Sequence, residues 1–137
     1  DITANILING TIDVKEDFTA NFFVNKHGIF KTIPLNYSIE WSDFHIDISN
    51  INVQWKKFTT SKSNWERTIK IWDPNITVNW IQNYPISYTT YWLIRNFSGM
   101  WYAELYWNLV GYNFDININK VKNQNNIRWK GWKKCLM

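Results

Sequence analysis

The dominant period along the chain is two. Ile2, Ala4, Ile6 and Ile8 alternate with Thr3, Asn5 and Leu7 and run into Asn9-Gly10. That pair is favoured in two-residue hairpin turns, where both central positions need positive φ. The return segment puts Ile12, Val14, Glu16, Phe18, Ala20 and Phe22 on one face, and Thr11, Asp13, Lys15, Asp17, Thr19 and Asn21 on the other. One face is apolar apart from Glu16 and the other is polar, which predicts an antiparallel sheet wetted on one side.

Residues 24–35 interrupt the alternation with His27-Gly28 and Pro34, and the stretch from His27 to Pro34 reads as a crossover loop. Alternation resumes through Phe44, Ile46, Ile48, Ile51, Val53 and Trp55. Lys56 to Asn64 is polar and reads as a loop or a disordered connection. Trp65, Arg67, Ile69 and Ile71 then alternate with Glu66, Thr68 and Lys70 up to a turn at Asp73-Pro74-Asn75. Further strands are predicted over 76–80, 84–94, 101–109 and 113–119, the third of which has room for one helical turn. Eight or nine short strands at this spacing, with no sustained helical period, predict an all-β, two-sheet antiparallel sandwich, Ig-like in general shape. There is no internal repeat and no low-complexity segment.

Length and composition fit that picture. The 137 residues suit one domain, read here as 1–121, with 122–137 as a basic Trp/Lys tail that begins a following segment. No run approaches the ~18–20 consecutive apolar residues of a membrane span. The chain opens on Asp1 without an initiator Met and reads as a processed or excised piece. A single cysteine, Cys135, excludes an internal disulfide framework. The net charge of +4 belongs to the tail, where six basic residues from Lys120 onward face no acids. Nine basic against eleven acidic residues leave 1–119 at a net −2, which argues against nucleic acid as a partner. The tail's "RWKGWKK" suits a membrane interface or an extended lead into further chain.

Candidate chemistry is sparse. His27 and His45, with Asp43 and Asp47, are the only groups that suggest a metal. His45 and Asp47 share a strand face but supply two ligands where a stable site needs three or four, so no metal or other cofactor is expected. His27 beside Gly28 is expected to make a structural hydrogen bond. No G-x-S-x-G, P-loop or paired-carboxylate motif is present, and no catalytic residue is assigned; the chain reads as a non-enzyme. Glu104, within "ELYW", has the composition of a buried carboxylate pinned by backbone, Trp or Tyr donors, with general acid–base chemistry as the alternative. Tyr84, Ile86, Tyr88 and Trp92 fall on one strand face, close to Trp101, Tyr102, Tyr106 and Trp107. Such a face is either sandwich core, the preferred reading, or a platform for stacking sugar rings, in which Trp92 and Trp101 would be the exposed members. Asn36, Asn75 and Asn96 open N-x-Ser/Thr triplets, which matter only in a eukaryotic secretory setting.

Three blocks carry a resemblance. "NGTIDVKEDFTANF…HGIFKTIPL" resembles the opening of the bacterial domain-of-unknown-function 2207 family of predicted membrane proteins, with its "V.E" strand and "HGI(Y/F)R.IP" segment. "TIKIWDPNITVNWIQNYPISYTTYWLI" resembles its "I.IGdpd…tG…Y.I.Y" block, and "AELYWNLVGYNFDININKV" its "ElyWnv.G..W…I" block. The resemblance spans roughly residues 2–121. Its signature positions here are His27, Gly28, Ile33, Pro34, Asp73, Tyr84, Tyr88, Glu104, Trp107, Asn108 and Gly111, read as mostly architectural. It implies a signal-peptide-led, extracytoplasmic β-rich domain at the bacterial cell membrane, followed by transmembrane helices. It implies no known activity; interaction or sensing with an unknown protein or glycan partner is the expected role, with a secreted carbohydrate-binding module as the alternative.

Two departures stand out. Lys31-Thr32 replaces an Arg-Asp-like pair, so a role for that acidic position does not carry over. Trp72 and Trp80 stand where the family pattern has glycine, and Trp65 and Trp92 fall at or beside turns. With ten Trp against five Gly in an Asn- and Ile-rich chain, two readings stand: a surface rich in aromatics for binding, or UGA codons at several of these positions that the source organism decodes as glycine. Trp107 is the one tryptophan that the resemblance predicts.

Overall fold

Glycine at position 10 sets the first hairpin. Gly10 takes φ 83°, Gly10 N–H donates to the Leu7 carbonyl at 2.9 Å, and the Asn9 side chain accepts from Thr11 N–H and Oγ1 at 3.1 and 2.8 Å. The last paired residues are Ile6 and Ile12, so the tight two-residue turn expected from Asn9-Gly10 gives way to a wider loop. The computed structural model describes residues 1–7, 9–39, 42–91, 94–96, 102–105 and 129–132, with side chains at 1–7, 9–38 and 43–91.

The hairpin joins β1 (Ile2–Ile6) to β2 (Ile12–Lys26); β3 (Gly28–Pro34), β4 (Asn36–Ile39), β5 (Ser42–His45) and β6 (Asp47–Val53) follow. Then come β7 (Phe58–Lys62), β8 (Glu66–Trp72), β9 (Val78–Tyr91), β10 (Ile94–Asn96), β11 (Tyr102–Leu105) and β12 (Trp129–Trp132). The described residues are all-β, and every strand pairing among them is antiparallel. One sheet has the order β1-β2-β9-β6 and a second the order β3-β8-β7. β4 and β5 form a separate hairpin, and β10, β11 and β12 a third sheet.

Among the described residues one apolar cluster joins the two principal sheets into a sandwich. Ile12, Val14, Ala20 and Phe22 from β2, and Tyr84, Ile86 and Tyr88 from β9, meet Ile29 and Ile33 from β3 and Ile69 and Ile71 from β8. Leu35, Ile46, Ile48 and Val53 close the margin. Alternation along β2 is the expected one, so the period-two reading places its inner face correctly.

Three segments differ from the sequence reading, each for a physical reason. The stretch from His27 to Pro34 is no crossover loop: a one-residue bend at His27 leads directly into β3. Ile29, Lys31 and Ile33 alternate inward, and the lysine in the middle disguised the period. Part of the polar stretch 56–64 is β7, an edge strand with one neighbour and only Phe58 half-buried, so it has little call for apolar residues. The strands read as 76–80 and 84–94 are one element, β9, which pairs with β2 from Ile12–Thr90 to Lys26–Val78. Pro85 does not break it. The Pro85 carbonyl accepts from Gln54 N–H just beyond the end of β6, so the missing N–H falls on the side that β6 vacates.

Candidate functional site

The inner faces of the sandwich meet over a charged group. Glu16, the lone carboxylate on the apolar face of β2, reaches across the core to Lys31 on β3, with Lys31 Nζ 2.6 Å from Glu16 Oε2. The two side chains are 4% and 5% exposed. Tyr88 on β9, next to β2, donates its hydroxyl to Glu16 Oε1 at 2.5 Å. The carboxylate thus has a cation from one sheet and a phenol from the other. An ion pair this dry survives only because each charge has the other and the remaining oxygen is hydrogen-bonded. Burial pushes the Tyr88 hydroxyl well above its ordinary pKa, and the neighbouring Glu16 charge pushes it further. The phenol therefore stays a donor.

His27, Gly28 and Asp73 build a second constellation at one end of the sandwich. Gly28 takes φ 145°, and a Cβ there would lie 1.9 Å from the Ile71 carbonyl oxygen, so only glycine lets β3 pair with β8 at this point. His27 Nδ1 lies 3.0 Å from the Ile76 carbonyl, while the His27 carbonyl accepts from Asp73 N–H at 3.2 Å. Asp73 caps its own turn by accepting from Asn75 N–H at 2.9 Å, and pairs with Lys57 at 3.7 Å. The His27 ring packs edge-on against Trp72 at 5.9 Å. This is the structural hydrogen bonding expected of His27, and it ties the turn at 73–76 to the start of β3.

The remaining metal candidates are committed elsewhere. His45 Nδ1 lies 2.7 Å from Asn36 Oδ1, and Asp43 accepts from the Ser38 hydroxyl. Asp47 bonds Lys62 at 2.7 Å, and that bond holds its carboxyl below the ordinary range. Among the described residues no three His, Cys, Asp or Glu side chains converge on a metal position.

Tyr84, Ile86 and Tyr88 are buried, so the aromatic face of β9 is sandwich core, as preferred over a sugar platform. Tyr84 packs against Phe18 and Phe22 with ring centroids 6.4 Å away in each case, and Lys56 Nζ lies 4.7 Å over its ring. Desolvation raises its pKa to about 12. Ile33 is core, and Pro34, half-buried, ends β3 opposite Glu66. Glu104 pairs in backbone register with Arg95 and Lys130, but its side chain lies outside the described residues. So do Trp92, Trp101, Trp107, Asn108 and Gly111. A buried carboxylate held by an aromatic donor, the role expected of Glu104, is filled at Glu16. The signals for it were a charge on an otherwise apolar face and a lysine at an alternating core position.

Among the described residues, exposed apolar side chains gather at one end of the β2–β9 ribbon. At the far end of the β2–β9 ribbon the register shifts between Phe22 and Lys26. Phe23 and Val24 lie in this irregular stretch of β2, 84% and 63% exposed. Ile76, Trp80 and Ile81 at the facing start of β9 are exposed as well. Lys26, His27 and Lys57 border this end. Trp55 and Trp65 are also exposed, the latter in the β7–β8 turn at the opposite end of that hairpin.

No curated protein and no solved structure matches the chain. Residues 1–124 match the N-terminal domain of the predicted membrane protein family DUF2207, a span that takes in the hairpin, both principal sheets and the buried triad. The chain therefore belongs to that family of predicted membrane proteins.

Proposed function

We propose that this domain is a non-catalytic module on the extracytoplasmic face of the bacterial membrane, part of a membrane-anchored protein, and that it binds or senses a protein partner through the apolar end of its β2–β9 ribbon. The exposure of Phe23, Val24, Ile76 and Ile81 at one end carries this reading. Contiguous apolar surface of that kind marks interaction sites on folded domains. The buried titratable groups support a non-catalytic role, because Glu16, Lys31 and Tyr88 are committed to one another where a substrate has no access.

The test is a photoreactive residue placed at Phe23 in the full-length protein in its own membrane, with the exposed Asn5, at the opposite end of the ribbon, as control. A discrete protein adduct from position 23 and none from position 5 is the expected result. No adduct at 23 would overturn the reading. Carbohydrate binding is the alternative, favoured by exposed Trp55, Trp65 and Trp80. It predicts that tryptophan fluorescence shifts on adding a glycan.

A further inference from the structure

Three described residues other than glycine have positive φ: Asn50 at 52°, Trp55 at 58° and Trp80 at 62°. Asn50 is unremarkable, because a short polar side chain tolerates the left-handed region. Its place is a register shift between β6 and β9. A bulky indole has no such excuse, since its Cβ crowds the following carbonyl. Strained conformations persist where surrounding contacts over-determine them. Neither indole is held in that way: Trp55 is 90% exposed and Trp80 76% exposed. Both backbones take the left-handed conformation at an irregular point of the fold. Trp55 lies in the turn between β6 and β7, and Trp80 lies opposite Phe22, at the edge of the bulge that separates Phe22 from Lys26. Elsewhere the chain meets such demands with glycine, at Gly10 and Gly28.

We infer that the polypeptide made in the source cell carries glycine at positions 55 and 80, encoded by UGA codons that this cell reads as glycine. The inference is independent of the proposed partner surface, but it sharpens that surface: Phe23, Val24, Ile76 and Ile81 remain, and the Trp80 indole leaves it. It also accounts for the abundance of tryptophan beside scarce glycine, ten against five.

The decisive experiment reads the two codons in the gene and the mass of the corresponding peptides from protein isolated from the source organism. UGA at both positions, with peptides lighter by the difference between an indolylmethyl group and a hydrogen, is expected. UGG at either position, or a peptide mass that retains tryptophan, overturns the inference for that position. A second readout uses recombinant full-length chain. Trp55→Gly and Trp80→Gly should each raise the folding equilibrium constant by about three- to tenfold, because relief of left-handed strain outweighs the added freedom of the unfolded glycine. Phe23→Gly, at an equally exposed residue with ordinary φ, should lower it. A loss of stability in both Trp→Gly variants would overturn the structural argument.

Discussion

Glu16→Gln removes one charge from a pair sealed between two sheets and takes from Lys31, whose side chain is 5% exposed, the anion that lies 2.6 Å away. The neutral amide still accepts from Tyr88, so the loss falls on the ion pair. Breaking a buried pair on one side costs about 3–5 kcal/mol, since the remaining charge stays buried without that counter-charge. Against a typical total of about 5–15 kcal/mol, this takes about a fifth or more of the stability. For a chain of this size it corresponds to a fall of roughly 10–20 °C in Tm. Urea unfolding followed by tryptophan fluorescence reads the effect as a lower midpoint at unchanged m. The companion variant is the triple Glu16→Met, Lys31→Met, Tyr88→Phe. Replacing every member by an apolar group of similar size removes both charges and the phenol together, and apolar replacement of a buried pair is often neutral or stabilising. The triple variant should therefore recover most of what Glu16→Gln loses. A Glu16→Gln protein within about 1 kcal/mol of the parent, too small a loss for a buried pair broken on one side, would refute the reasoning. So would a triple variant no more stable than the single one.

Other perturbations follow from the same geometry. Gly28→Ala sets a methyl against the Ile71 carbonyl at 1.9 Å, closer than any real contact, and should cost more than about 3 kcal/mol in a urea titration. Tyr84 and Tyr88 have raised pKa values, Tyr84 to about 12, so their contribution is complete below the unfolded value near pH 10 and is lost as pH rises through the folded values. Tyrosinate absorbance for these two should thus appear late and together with unfolding. Asp47 has a lowered pKa, so its contribution is present above about pH 4 and is lost as pH falls through the folded value. Because Asp47 and Lys62 are each more than a third exposed, Asp47→Asn should cost under about 1 kcal/mol, less in high salt, and should flatten the acid limb of the stability profile.

Much of this architecture was legible in the sequence because burial on one face imposes a period that needs no partner to be seen. The β2 face from Ile12 to Phe22 and the β9 face from Tyr84 to Tyr88 were both read correctly. The segments that escaped depend on partners. β7 is polar because it has one neighbour, and its strand character comes from β8 rather than from its own residues. Lys31 reads as a break until Glu16, on a different sheet, supplies the opposite charge. Two of the blocks that carried the family resemblance meet at this point: Glu16 and Lys31 both belong to the first and Tyr88 to the second. Their meeting gives the signature a physical meaning that no block shows alone. His27 and Asp73 were legible as turn chemistry, but their mutual hydrogen bond required the register of β3 on β8.

The most direct test of the account compares two variants of the full-length membrane protein carrying the same photoreactive residue at Ile81. One bears the apolar triple replacement at Glu16, Lys31 and Tyr88, and the other bears Phe23→Ser with Val24→Thr. If the interior is architectural and the ribbon end meets the partner, the triple variant folds and keeps the cross-linked adduct. The surface variant then keeps its stability within about 0.5 kcal/mol and loses the adduct. A folded triple variant without the adduct, beside a surface variant that retains it, would contradict the account and return function to the buried charges.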